Sequence, residues 1–197
     1  MTLLELSVVL AIVGILTGLS VASLSSLKAN ATFGGATGEL VSAMRVTQAQ
    51  AIARGTNTAF IIDSASGRYW GIQTTSAFSL PAFTPSTATI LTSGTLPVEV
   101  TFGPAAGYGA ALATPLGGIP MTAGQGPNYL YCSFCLTAGL VGYGSMLFEP
   151  GGPVRFSNAV NRIGEQFTLT SSRENRVRVM AVSISQRTGT IETFERR

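Results

Sequence analysis

Residues 1–24 read MTLLELSVVLAIVGILTGLSVASL, and the rest of the chain has to be fitted to them. The run is uncharged from Leu6 to Ser26 and holds one carboxylate, Glu5, near its start; the next charge is Lys28. Leu6 to Leu24, coiled as an α-helix at about 1.5 Å per residue, would cover roughly a bilayer's hydrocarbon core. A secretory signal should start with basic residues and end in a small-residue cleavage site before an independent domain. Here no Lys or Arg precedes the run, and the helical pattern continues beyond it. A carboxylate at membrane depth costs about 2.5 kcal/mol or more and is normally paired. No cation lies within two helical turns of Glu5 in sequence. The nearest partner is an α-amino group, its own or that of an identical helix packed alongside with a stagger of a few residues.

From Gly38 to Arg54 the chain reads GELVSAMRVTQAQAIAR. Leu40, Val41, Met44, Ala51 and Ile52 fall near one helical face, with Glu39, Arg45, Gln48 and Arg54 off it. Gly55 follows Arg54, as a helix C-terminus prefers. One long helix is therefore expected from near the N-terminus to Arg54, apolar all round in its first half and amphipathic in its second. Gly14, Gly18, Gly34, Gly35 and Gly38 are its weakest points, with Gly34–Gly35 the place for a break. The expected division is 1–27 as the apolar helix, 28–55 as its amphipathic continuation and 56–197 as a globular head.

The head reads as strands. NTAFIID (57–63), a SASG turn and RYWGIQT (68–74) predict a hairpin. VEVTFG, YLYCSF, MLFE, VRF, FTLTS, RVRVMAVSIS and GTIETFE supply further strands. Two uncharged stretches, 74–97 and 103–127, are rich in Ser, Thr, Pro and Gly and read as outward-facing loops. The fold class expected is α+β, with the long N-terminal helix packed on an antiparallel β-sheet head.

MTLLELSVVLAIVGIL strongly resembles the start of mature type IV pilins and type II secretion pseudopilins, which open Phe-Thr-Leu-Ile-Glu-Leu before an apolar helix. Thr2, Leu3, Leu4, Glu5 and Leu6 fall in register with that opening, and Met1 stands where Phe is usual. Many major pilins carry proline at position 22; this chain has Ala22, which removes one cause of a kink. AMRVTQAQAIARGTNTAFIID and the closing VMAVSISQRTGTIET resemble the GspH/FimT group of minor pilins and pseudopilins. The resemblance covers roughly residues 1–70 and 176–195. It implies a leader cut after a glycine by a prepilin peptidase, which N-methylates Met1. It also implies a filament of like or mixed subunits in which Glu5 meets a neighbour's amine, built by inner-membrane assembly machinery. The chain would lie in the inner membrane among lipid before assembly, then in an extracellular pilus or a periplasmic pseudopilus.

Composition fits. At 197 residues there is room for one helix and one domain. Only 11% of residues are charged, as expected where much surface is covered by neighbours. Histidine is absent, which removes His-based triads and the commonest metal ligand. No spacing groups the carboxylates as an acid–base pair, no Gly-rich phosphate motif precedes a helix, and the Asn30–Thr32 glycosylation sequon sits in the expected helix. No catalytic residue, metal or cofactor is expected. Cys132 and Cys135 form CSFC, which can be a redox motif, half a zinc site or a small disulfide loop. Zinc would need ligands that one chain lacks, the redox reading lacks its βαβ context, and a disulfide is the expectation in an oxidising compartment.

The net charge of +3 is uneven: residues 155–197 hold eight arginines and four glutamates. Arg176 and Arg178 alternate onto one strand face, and with Arg173, Arg187, Arg196 and Arg197 they could form a cationic strip. Such a strip would hold DNA phosphates by charge, making a DNA-uptake minor pilin the alternative to a structural subunit. Solvation or contact with Glu192 or Glu195 of a neighbour is the plainer reading of these arginines. A third alternative is a membrane-anchored domain that does not polymerise.

Overall fold

A computed structural model describes residues 2–75, 78–80, 83–103, 132, 134–136, 142–157, 164–173 and 176–196. The chain is helical over α1 (Leu3–Arg54), with side chains described at 4–17, 28 and 30–54. Its end is capped as the sequence predicts. Gly55 takes φ 62°, and the Thr56 N–H reaches back to the Ala51 carbonyl at 3.2 Å, the six-to-one bond of a Schellman cap.

Nine strands follow: β1 (Thr58–Asp63), β2 (Arg68–Gln73), β3 (Thr89–Thr95), β4 (Val100–Phe102), β5 (Tyr143–Phe148), β6 (Val154–Phe156), β7 (Gly164–Arg173), β8 (Arg176–Ser185) and β9 (Ile191–Arg196). They form two antiparallel sheets, β3-β2-β1-β5-β6 and β4-β7-β8-β9. This corrects the expected fold class of one long helix laid on one small sheet. The head is mostly β and two-sheeted. The chain also divides into two compact units, Met1–Gly35 and Ala36–Arg197, so no single helix-on-sheet body accounts for it. The physical reason lies in the central strands. All six residues of β1 are buried, as are Glu165 to Ser171 of β7. A strand covered on both faces needs flanking strands on both edges and a layer above and below. Two such strands therefore build two sheets.

Within the second unit, the amphipathic end of α1 covers one face of the first sheet. Leu40, Val41, Met44, Thr47 and Ala51 are buried there. Thr58 donates its hydroxyl to the Thr47 carbonyl at 2.8 Å, and the Tyr69 hydroxyl meets Glu39 at 3.1 Å. Gly71 is required by this approach: a Cβ there would collide with the Thr47 side chain. Gln48 reaches the second sheet, donating to the Gly189 carbonyl in the β8–β9 turn at 3.0 Å, where Gly189 takes φ 65°.

The opposite face of the first sheet carries Ala59, Ile61, Trp70, Ile72 and Leu147. Leu80, Phe78, Phe83 and Ala88 from the Ser/Thr/Pro-rich stretch pack on it. Phe83 lies 5.5 Å from Trp70, ring centre to ring centre. The stretch 74–97 is thus not an outward-facing loop. Its few large apolar residues form a lid, and its end becomes strand β3, where Thr and Ile suit a pleated ladder. Of the second uncharged stretch, residues 104–127 lie outside the described residues. Among the described residues, no helix is long and apolar enough to cross a membrane.

Candidate assembly surface and disulfide loop

The N-terminal helix begins with a reciprocal cap. The Thr2 N–H donates to Glu5 Oε2 at 2.7 Å, and the Glu5 N–H donates to Thr2 Oγ1 at 3.3 Å. This is the capping box that Thr-x-x-Glu can build, and it satisfies two backbone donors that a helix start leaves open. It also places the carboxylate where the helix dipole favours negative charge. The sequence reading gave Glu5 an α-amino group as partner, its own or a neighbour's, and no capping role; the Thr2-Leu3-Leu4-Glu5 spacing was the signal for this second role. Met1 lies outside the described residues. Beyond the cap, Leu4, Leu6, Val8, Val9, Leu10, Ile12, Val13, Ile15 and Leu16 are all half or more exposed to within a few per cent, from Val9 at 48% to Leu4 at 73%. At 100° per residue they face every direction, so the segment is apolar all round.

The second site is the cysteine loop. Cys132 and Cys135 are joined as a disulfide with Cα atoms 5.3 Å apart, and both are buried. Cys132 bridges to Phe167 of β7 in the second sheet. Two residues on, the Phe134 carbonyl accepts the Ser157 hydroxyl at 2.7 Å, and Ser157 Oγ in turn accepts the Ser145 N–H of β5 in the first sheet at 3.0 Å. The Leu136 N–H donates to the Tyr143 carbonyl at 2.8 Å. The Phe134 ring sits 5.3 Å from Phe156 and 6.4 Å from Phe167, one from each sheet. Gly144 seats the loop: a Cβ there would lie 2.7 Å from Cys135 Sγ and 2.8 Å from the Phe134 ring. Phe134, Gly144, Ser157 and Phe167 were not singled out from sequence. Only the aromatic inside CSFC hinted that the loop is a core element. Of the expected strand YLYCSF, 129–131 and 133 lie outside the described residues, Cys132 forms an isolated antiparallel bridge with Phe167, and Phe134 lies in a turn.

By register Arg178 stands opposite Ser171 and Arg176 opposite Arg173, whereas Arg196 stands opposite Val179. Arg187 follows the far end of β8, nine residues after Arg178, which is roughly 30 Å along an extended strand. Arg197 lies outside the described residues, and Arg155 pairs with Glu149 at 2.6 Å.

Among the described residues Tyr143 is pushed up by burial and then by its hydrogen bond to Asp63 and that residue's charge, and Asp63 and Tyr69 are shifted too. Burial pushes Asp63 up, but hydrogen bonds from Ser66, Tyr143 and the Ser66 and Ala65 N–H groups outweigh it and hold the carboxyl below its ordinary 3.8. Tyr69 is pushed up to about 12 by burial, then by the charge of Glu39 and its hydrogen bond to that carboxylate. These shifts belong to structural contacts. Among the described residues no group of three or more Cys, Asp or Glu is placed to hold a metal ion. No family model matches the chain, and no curated protein or solved structure matches it.

Proposed function

We propose that this chain is a structural subunit of a bacterial filament of the type IV pilus or type II secretion pseudopilus kind. The subunit polymerises through its N-terminal helix. The observation that carries the reading is the bare apolar surface from Leu4 to Leu16, with Glu5 at its head. A contiguous apolar surface of this size marks a segment meant to be covered. Identical helices packed side by side would cover it and would bring Glu5 to a neighbour's amino group. In this reading a prepilin peptidase exposes and methylates Met1, the chain waits at the inner membrane, and assembly machinery adds it to a pilus or a periplasmic pseudopilus.

Filaments sheared from source cells, viewed by negative stain and digested for mass spectrometry, should contain this chain with an N-methylated Met1. A chain recovered only as a membrane-bound monomer would replace the filament reading with that of an anchored domain.

A further inference from the structure

We propose that the Cys132–Cys135 loop is a redox-gated clamp: the head closes its two sheets together only on a chain whose cysteine pair has already been oxidised. This inference stands apart from the filament reading.

Within five residues the loop is tied to both sheets. Cys132 holds Phe167 of the second sheet, while Phe134 and Leu136 hold Ser157 and Tyr143 beside the first. The disulfide fixes the distance between these two anchorages. So short a loop removes little chain entropy, so the bond acts mainly by positioning.

The bond is also sealed. Cys132 is 2% exposed and Cys135 6%, and the Cys135 sulfur and the Phe134 ring both lie so close over Gly144 that a Cβ there would meet them. Oxidation of the pair requires exchange with an external disulfide. One cysteine thiolate attacks a sulfur of that disulfide, forming a mixed disulfide and releasing one partner thiolate. The second cysteine thiolate attacks the mixed bond, forming Sγ–Sγ and releasing the other. The chain loses two protons and two electrons, and the partner disulfide gains them as a dithiol. Each attack needs a sulfur approached in line by another sulfur, and the closed head allows no such approach. Exchange therefore precedes docking of the loop. Once docked, the bond is shielded from reductants. A chain held in a reducing compartment would stay open, and one on the oxidising side would close and lock.

The test uses the full chain in mild detergent with a phosphine reductant, followed by thiol counting and hydrogen exchange. Native protein should release no thiols over hours and release both once denaturant opens the head. After reduction and return to native buffer, amides of β7 around Phe167 and of β5 around Ser145 should lose at least tenfold in protection. Those of the β1–β2 hairpin should keep theirs. The Cys132→Ser, Cys135→Ser double variant should match the reduced protein. Native reduction as fast as that of an exposed disulfide, or unchanged protection in both sheets after reduction, overturns the clamp. Should the double variant lose both sheets, Gly144→Ala decides. It keeps the cysteines and spoils only the seat, so it should speed native reduction tenfold or more, and an unchanged rate rejects the proposal.

Discussion

Glu5 has two partners to satisfy, and substitution can separate them. As a member of the capping box it needs an acceptor of the right length; as the partner of an amine it needs charge. Glu5→Gln keeps the first and loses the second, since Gln serves a capping box as Glu does. Backbone amides at the helix start should stay protected in that variant while filament incorporation fails. Thr2→Val should do the converse: it frays the first turn, at a cost of about 1 kcal/mol, and leaves the charge in place. If Glu5→Gln assembles normally, the charge pairing is wrong. At Asp63 the consequence is pH. Its carboxyl is held below 3.8 by donors in the β1–β2 turn, so it contributes stability above that pH and loses it as pH falls through the lowered value. Acid melting followed by circular dichroism should shift to higher pH in Ser66→Ala, which removes one of those donors.

Elements were legible where the pattern was local and illegible where it was not. The end of α1 at Arg54–Gly55, the β1–β2 hairpin and the β8–β9 hairpin follow from residues that touch their neighbours in sequence. The pairing of β1 with β5 joins residues about 85 positions apart, and no alternation reports it. The lid over Trp70 was missed because three large apolar residues among many Ser, Thr and Pro do not change the average of the stretch. They change only what it can cover. The bond from Tyr69 to Glu39 fastens α1 to β2 and makes a further prediction. A tyrosine whose pKa is raised to about 12 contributes stability that is complete below 10 and disappears as pH rises toward 12. Tyr69→Phe should remove that alkaline loss from the melting profile while leaving the neutral core packed. An alkaline transition unchanged in Tyr69→Phe would show that another group governs it.

The whole molecule is two units with different needs. Ala36–Arg197 buries its own core, while the helix ahead of it leaves its apolar residues bare. A charge placed on that surface should therefore act on association alone. Leu10→Lys is expected to abolish assembly of the full chain, measured by sedimentation after detergent removal. The thermal midpoint of the head should stay within about 2 °C, because exposed positions away from a core contribute little to folding. A head that melts much earlier would mean that the two units share stability. The sequence placed its change from an all-round apolar to an amphipathic pattern between 27 and 28, whereas the two compact units divide between Gly35 and Ala36. It could not point to two sheets, since strands announce themselves singly and the partner of each is chosen by burial.

The chain has a single tryptophan, and Trp70 lies under the lid, 9% exposed and against Phe83. Its emission therefore reports one place only. Lifting of the lid should shift it to longer wavelength, and since Leu136 of the cysteine loop packs on the same cluster, release of the loop is followed beside it by thiol counting. The molecule carries its own optical probe, able to time the opening of one layer against the reduction of the other.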